Sequence, residues 1–144
     1  RMTGYPTAII AHMLAAGAGH VVGVCSLSAL RAVPAMAAYS ASKAALATLL
    51  DGYRMELAPR GIQVTVLYPG FIRTKLLAEN RGQPQPFTLD LAPAVRRMAD
   101  AIEQQRAEVY FPWPLALVCR LNRYVPRQIY DRLARWTMTP KQFR

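Results

Sequence analysis

The sequence predicts an α/β fold in which parallel strands alternate with helices. A short apolar run at 21–25 is rich in valine, and a second strand pattern at 62–67 alternates β-branched residues. Between them, the alanine-rich residues 36–57 repeat apolar side chains at helical spacing. A strand, a helix and a strand in this order are typical of parallel neighbours in one sheet. The first strand is expected to be buried on both faces, as strands of parallel sheets usually are.

Three further segments complete the first part of the chain. Residues 5–16 predict a helix, which the glycines of Gly17-Ala18-Gly19 end. Residues 26–35 predict a loop. Residues 71–89 are rich in glycine and proline and predict a turn-rich loop or lid.

A third helix and a third strand are predicted further along. Asp90 is of the residue type that caps helices, and residues 91–105 follow it with apolar side chains at helical spacing. Residues 107–111 predict a strand at the edge of the sheet. The helix residues expected to face the core are Val95, Met98, Ala99 and Ile102.

The segment Pro112-Trp113-Pro114 separates a body at 1–112 from a basic tail at 113–144. The tail holds seven arginine and lysine residues and one acid, in a chain whose net charge is +10. Its pattern predicts a basic amphipathic helix. The apolar face of that helix comprises Ile129, Tyr130, Leu133 and Trp136. Two placements fit: the tail docks on the body, which the prolines beside the third strand favour, or it lies on an anionic membrane.

Composition narrows the classes of function. An excess of arginine suits a nucleic acid, an anionic lipid or a phosphate-rich ligand. No nucleic-acid-binding motif accompanies the charge, so no nucleic-acid partner is predicted. Cys25 and Cys119 have neither metal-ligand spacing nor a disulfide pattern, so no metal site is predicted. The expected compartment is the reducing cytoplasm, with membrane association left open by the tail.

The segment Tyr39-Ser40-Ala41-Ser42-Lys43 carries the chemistry. Tyr39 and Lys43 are four residues apart in the predicted long helix and share one of its faces. An ammonium group close to a phenol favours the phenolate, which lets the phenol exchange protons near neutral pH. Ser42 is expected to be a small packing residue that lets the helix approach the sheet.

The chain resembles the classical short-chain dehydrogenase/reductase family over about residues 5 to 111. The resemblance implies a partial doubly wound, Rossmann-like parallel sheet, the carboxyl-terminal half of that fold with extra carboxyl-terminal helices. The family's glycine-rich phosphate loop does not occur in this sequence, so the nucleotide-binding half is expected to be absent. The segments that carry the resemblance are Gly19-His20-Val21-Val22-Gly23-Val24-Cys25-Ser26, Tyr39-Ser40-Ala41-Ser42-Lys43-Ala44-Ala45 and Val64-Thr65-Val66-Leu67-Tyr68-Pro69-Gly70-Phe71-Ile72-Arg73-Thr74.

The resemblance implies a role for individual residues. Tyr39 would be the acid or base, Lys43 would hold the nicotinamide ribose, and Ser26 would bind the substrate oxygen. Ser28 is a rival for the serine role, but the family's usual separation between serine and tyrosine favours Ser26. The implied cofactor is NAD or NADP. The residues implied to bind it are Tyr39, Lys43, Pro69, Gly70, Ile72 and Thr74.

The implied activity is that of an NAD(P)-dependent oxidoreductase which interconverts a hydroxyl and a carbonyl group by hydride transfer. The expected substrate is a hydrophobic alcohol or carbonyl compound. The residues expected to supply an apolar pocket are Phe87, Leu89, Leu91, Trp113 and Leu115.

The expected assembly is a homo-oligomer, because the helices at 5–16 and 36–58 resemble those that pair in the family. The alternative is an inactive fragment that serves as an oligomerisation module or binds an anionic membrane through its tail. With half of a doubly wound sheet absent, the chain alone is expected to be unstable or inactive.

Overall fold

A computed structural model describes residues 8–74 and 87–137. The start of the predicted first helix, most of the predicted loop at 71–89 and the end of the tail lie outside these residues. The sheet has three strands, β1 (Gly19–Val24), β2 (Ile62–Pro69) and β3 (Glu108–Phe111), in the order β1-β2-β3.

Both strand pairs are parallel. The pairing of β1 with β2 runs from Gly19 opposite Ile62 to Val24 opposite Leu67, and β3 pairs with the second half of β2. Among the described strands β3 lies at an edge, as predicted. The predicted parallel α/β architecture is confirmed. Within the described ranges, five α-helices accompany the sheet: α1 (Ala8–Ala16), α2 (Ala37–Leu57), α3 (Leu91–Glu103), α4 (Trp113–Asn122) and α5 (Arg127–Thr137), with short 3-10 helices at Leu27–Ala29 and Ala58–Arg60.

The helix α2 forms the core by packing on β1 and β2. Its residues Leu50, Tyr53 and Leu57 are buried against the sheet. Gly23 in β1 makes the close approach possible, because a Cβ atom at this position would overlap the Leu50 side chain. Since Leu50 is itself buried, it has no room to move aside. The glycine therefore sets the distance between the helix and the sheet.

The strand β1 differs from the prediction of burial on both faces. Val22 and Val24 are exposed, whereas Gly23 and Cys25 are buried. Successive strand residues point to opposite faces, and α1 and α2 meet β1 through Gly19 and Gly23. Within the described residues nothing covers the opposite face at β1, so the prediction of two buried faces was wrong for this chain.

The helix α3 begins after Asp90, as predicted, and its inward face is predicted in part. Met98 and Ile102 are half-buried, as expected, whereas Val95 and Ala99 are exposed and Ala94 and Ala101 are buried instead. Small side chains line the contact because α3 lies close to β2, and the longer valine points away. The Asp90 side chain makes no cap hydrogen bond; its carboxylate instead pairs with Arg73 at 2.9 Å.

The tail forms two helices, and its junction docks on the body through Arg31. The Arg31 guanidinium donates hydrogen bonds to the carbonyl oxygens of Asn122 and, at 2.8 Å, of Val125. It also lies 3.8 Å from the ring centroid of Tyr130, whose hydroxyl donates to the Ala32 carbonyl at 2.7 Å. Arg31 thus adds a side-chain donor at the end of α4, where the Asn122 carbonyl also accepts from the Val125 N–H.

Only part of the predicted apolar face of the tail packs against the body. Tyr130 contacts the body, whereas Ile129 and Leu133 are about half exposed; the Trp136 side chain lies outside what the structure describes. None of the helices in the described ranges has both the length and the apolar content to span a bilayer.

Candidate active site

A cavity of about 670 Å³ opens where β1 and β2 end. Ligands of open α/β sheets bind at the carboxyl ends of the strands, and cavities of this size accommodate small organic ligands. Ser26, which follows β1, and Tyr39 and Lys43 in α2 all line it. The segment that follows β2 lines the opposite side with Pro69, Gly70, Phe71, Ile72 and Thr74.

The first turns of α2 place Tyr39 and Lys43 together at this cavity. The Lys43 Nζ atom donates a hydrogen bond of 2.8 Å to the carbonyl oxygen of Val24. The same atom lies 5.8 Å from the centroid of the Tyr39 ring. The end of β1 therefore fixes the ammonium group beside the phenol, and 43% of the Tyr39 residue surface remains exposed.

The two serines that compete for the substrate role are hydrogen-bonded to each other. Ser26 precedes the 3-10 helix Leu27–Ala29 in an extended conformation. Its Oγ atom accepts from the Ser28 backbone N–H at 3.2 Å and from the Ser28 hydroxyl at 3.0 Å. Both serines line the cavity, and these two bonds leave the Ser26 hydroxyl proton available to donate.

In the segment after β2, Gly70 allows a close helix contact and Ile72 forms a backbone bridge. A Cβ atom on Gly70 would lie 2.8 Å from Leu115 Cδ2, so the glycine lets α4 approach. The Gly70 N–H already donates to the Phe111 carbonyl at 2.7 Å. A parallel bridge joins Ile72 to Leu89. In this bridge the Leu89 N–H donates to the Phe71 carbonyl, and the Arg73 N–H donates to the Leu89 carbonyl. The Ile72 N–H and C=O therefore point away from the bridge.

Two cysteines line the same cavity. Cys25 is buried, as predicted, and burial raises the pKa of its thiol while the Lys43 charge opposes the rise. Burial likewise raises the pKa of the Cys119 thiol in α4. Both groups therefore stay as neutral thiols at physiological pH and contribute to an apolar wall.

The apolar wall differs from the predicted one. Leu115 lines the cavity as expected, but the other four predicted residues do not: Leu89 is half-buried, and Phe87, Leu91 and Trp113 are each more than half exposed. The wall instead includes residues that the sequence did not single out, namely Leu27, Val33, Met36 and Cys119. The spacing of Leu115 and Cys119, four residues apart in α4, was the signal that could have placed them together.

Ser42 was predicted to pack under the helix, and this prediction was wrong. Ser42 is exposed, and its hydroxyl donates to the Tyr39 carbonyl at 2.8 Å. The small buried residue is Ser40, whose hydroxyl accepts from the Val33 N–H at 3.3 Å. This bond ties the cavity loop to the start of α2.

The fold and the cavity define a Rossmann-like α/β protein with a hydroxyl-and-ammonium site at the ends of two strands. A family model described as short chain dehydrogenase matches residues 5–85, which is more than half of the chain, and the chain belongs to this family.

Relatives and solved structures agree with this assignment. An oxidoreductase of Myxococcus xanthus is 40% identical over 129 residues, which are 90% of this chain and 51% of that protein. The oxidoreductase YbbO of Escherichia coli is 32% identical over 134 residues, covering 84% of this chain and 50% of YbbO. The chain thus spans about half the length of the relatives it matches.

A short-chain dehydrogenase of Burkholderia cenocepacia, solved in complex with NADP, superposes with a TM-score of 0.69 at 32% identity. The match covers 90% of this chain and 52% of the other. A short-chain dehydrogenase of Streptomyces avermitilis gives a TM-score of 0.61 at 28% identity, with coverages of 88% and 53%. The Rossmann-like fold is therefore shared with whole enzymes about twice as long.

Proposed function

We propose that this chain is the reaction-centre half of an NAD(P)-dependent oxidoreductase that interconverts a hydroxyl and a carbonyl group. The observation that carries the proposal is the placement of Lys43. Its ammonium group is held by the Val24 carbonyl at 2.8 Å and lies 5.8 Å from the Tyr39 ring centroid, at the mouth of a cavity that Ser26 also lines.

The residues present fit a nicotinamide cofactor. The cavity volume of about 670 Å³ lies in the range of sites that bind small organic molecules, and the Ile72 N–H and C=O point away from the Leu89 bridge. Lys43 and Tyr39 would hold the ribose, and the segment from Pro69 and Gly70 to Ile72 and Thr74 would hold the carboxamide. The NADP found in the Burkholderia cenocepacia relative supports this class of cofactor.

The residues of the chain supply the proton chemistry. When bound, the nicotinamide exchanges a hydride with the substrate carbon. Tyr39 gives its hydroxyl proton to the carbonyl oxygen during reduction and accepts that proton during oxidation. Ser26 donates a hydrogen bond to the same oxygen and stabilises the negative charge that develops there. Lys43 stabilises the phenolate that remains on Tyr39.

The substrate is proposed to be hydrophobic. Most of the residues that line the cavity are apolar, among them Leu27, Met36, Ile72 and Leu115. An apolar wall favours a substrate with a hydrocarbon body and leaves the hydroxyl groups to orient its single reacting oxygen.

Self-association is the second proposed property. The helix α1 is apolar on almost every side, yet only Ile10 is buried and Ile9 is 64% exposed. A helix that is hydrophobic all round is normally covered, which supports a homo-oligomer that pairs α1 with another copy. This property would persist if the chain acted as an inactive oligomerisation module.

The experiment that tests the redox proposal is Tyr39→Phe in the intact protein. Turnover of a panel of hydrophobic ketones and alcohols should fall at least about 100-fold, because the proton donor is lost. Binding of NADP or NAD, measured by nicotinamide fluorescence, should be retained.

The matched control is Tyr124→Phe, since Tyr124 is 83% exposed and does not line the cavity. Its turnover should equal that of the unmodified protein. Undiminished turnover in Tyr39→Phe would remove Tyr39 from the acid role.

A further inference from the structure

The outward face of α4 exposes a row of large apolar side chains. Trp113, Leu117 and Leu121 recur every four residues and so share one face, and Tyr124 follows the helix end. They are 70%, 50%, 59% and 83% exposed, respectively. These four residues are called the α4 stripe below.

The helix α4 is apolar on both of its sides. Leu115 and Cys119 line the cavity, and Ala116 is buried. Arg120 is the one charged residue in α4, and its guanidinium lies 4.9 Å from the ring centroid of Tyr110 in β3. A helix that faces water normally carries polar side chains outward, and a contiguous exposed apolar patch marks an interaction surface.

The charges that flank the α4 stripe identify the kind of partner. Arg123, Arg127 and Arg132 are exposed; Arg127 lies 3.9 Å from the one intervening acid, Asp131, so Arg123 and Arg132 carry the positive charge that this acid does not balance. A second copy that presented the same patch across a two-fold axis would bring these cations together. A partner with an apolar interior and a negatively charged surface would accommodate both the apolar stripe and the arginines. Tryptophan and tyrosine side chains favour the boundary between such an interior and its polar surface.

We propose that the α4 stripe docks on an anionic lipid bilayer, with the arginines that follow it held at the lipid phosphates. The chain would then lie on the bilayer with the cavity on the inner side of α4, one helix thickness from the lipid. Such a position suits a lipid-soluble ligand that reaches the cavity from the membrane. The docking itself does not depend on the proposed redox chemistry.

The test is co-sedimentation of the intact protein with vesicles of phosphatidylcholine alone and of phosphatidylcholine with phosphatidylglycerol. Binding is expected only to the anionic vesicles, and it should weaken as salt rises from about 0.05 M to about 0.5 M, because salt screens the arginines. Absence of binding to anionic vesicles at low salt overturns the proposal.

Paired variants locate the surface. Leu117→Ser with Leu121→Ser should lower the vesicle partition coefficient at least about tenfold, because apolar area is lost. Arg123→Gln with Arg132→Gln should lower the vesicle partition coefficient by about fivefold or more for each arginine that is removed. Met55→Ser with Val95→Ser changes two equally exposed apolar residues in α2 and α3 and should have no effect. Arg96→Gln with Arg97→Gln is the corresponding charge control.

Other outcomes assign the stripe elsewhere. Equal loss in the test and control variants would show that binding does not use the α4 stripe. A change from oligomer to monomer in the Leu117→Ser, Leu121→Ser variant, seen by sedimentation velocity without lipid, would assign the stripe to a second copy and overturn the proposal. The Tyr39→Phe variant should bind vesicles normally, so failure of the redox proposal and failure of this one are distinguishable.

Discussion

The two serines at the cavity form a hydrogen-bonded pair in which Ser28 is the donor and Ser26 is the acceptor. Ser28 donates both its N–H and its hydroxyl to Ser26 Oγ, so the Ser26 hydroxyl proton must point to another acceptor. In the proposed reaction that acceptor is the substrate oxygen. Ser28 would then be a positioning residue that sets the direction in which Ser26 donates.

The expected result of Ser26→Ala is a loss of turnover of about 100-fold or more, because a donor to the developing oxyanion is removed. Ser28→Ala should cost about tenfold or less, since its neutral hydroxyl bond contributes about 1 kcal/mol and its backbone N–H remains. Steady-state kinetics of both variants measure the difference.

Ser42→Ala is the control, because the Ser42 hydroxyl bonds only to the Tyr39 carbonyl and is exposed. If Ser28→Ala is more damaging than Ser26→Ala, the two roles are reversed.

At the scale of elements, the fit between α2 and the sheet depends on one missing methyl group. A side chain at Gly23 would overlap the buried Leu50. The site depends on the same contact, because α2 carries Tyr39 and Lys43 to the end of β1. A shift of α2 away from the sheet would lengthen the 2.8 Å bond between Lys43 Nζ and the Val24 carbonyl.

Gly23→Ala should therefore destabilise the protein by about 1–3 kcal/mol, the usual cost of overpacking a core. Gly52→Ala in α2 is the matched control. A Cβ atom at Gly52 has nothing within 4 Å, and alanine is favoured over glycine in a helix by about 0.5–1 kcal/mol.

Urea unfolding of the two variants, followed by circular dichroism, measures both effects, which should have opposite signs. If Gly23→Ala is as stable as the unmodified protein, the space between the helix and the sheet can accommodate a methyl group at this contact.

The hydrophobic periodicity of the sequence predicted the positions of the helices and strands well. It predicted less well which faces of these elements are exposed. The strands and the long helix were found within a few residues, because β-branched runs and alanine-rich segments have strong local preferences. The inward face of α3 was predicted only in part: Met98 and Ile102 are half-buried as expected, but small alanines rather than the larger valine are buried. Hydrophobicity alone cannot rank Ala94 above Val95; only the distance between helix and sheet decides it.

The candidate site was predictable where its residues are close in sequence. Tyr39 and Lys43 share a helical face, and Ser26 directly follows a strand, so the cavity brings them together as the pattern indicates. The walls were not predictable in the same way. Cys119 lines the cavity from α4, and the chain just past this helix is bound by Arg31, which is far away in the sequence, through the Asn122 and Val125 carbonyls. Such contacts leave no local signal.

At the scale of the whole molecule, three of the exposed apolar surfaces among the described residues belong to different elements. These are the uncovered face of β1 at Val22 and Val24, the helix α1, and the α4 stripe. The first lies on the sheet itself, and the relatives are about twice as long as this chain. We infer that further polypeptide packs on the β1 face, another copy on α1, and lipid on α4.

A stacked tyrosine pair, buried at Tyr68 and half-buried at Tyr110, joins the two later strands and should make the whole fold sensitive to alkali. The rings of Tyr68 in β2 and Tyr110 in β3 stack with centroids 4.3 Å apart. Burial, followed by the charge of Glu108, raises the pKa of Tyr68 to about 12. Burial, followed by a hydrogen bond to Glu108, also raises the pKa of Tyr110. Both rings are therefore neutral in the folded protein at physiological pH.

A folded-state pKa above the unfolded value favours folding fully below the unfolded pKa of about 10. That contribution is lost as the pH rises through the folded pKa, because the unfolded chain releases its protons first. The free energy of unfolding should fall by about 2 kcal/mol between about pH 9 and about pH 11 or above, as measured by urea titration. Tyr68→Phe should reduce the fall, whereas Tyr124→Phe, which alters an 83% exposed ring, should leave it unchanged. An identical alkaline loss in Tyr68→Phe would place the sensitive group outside the stacked pair.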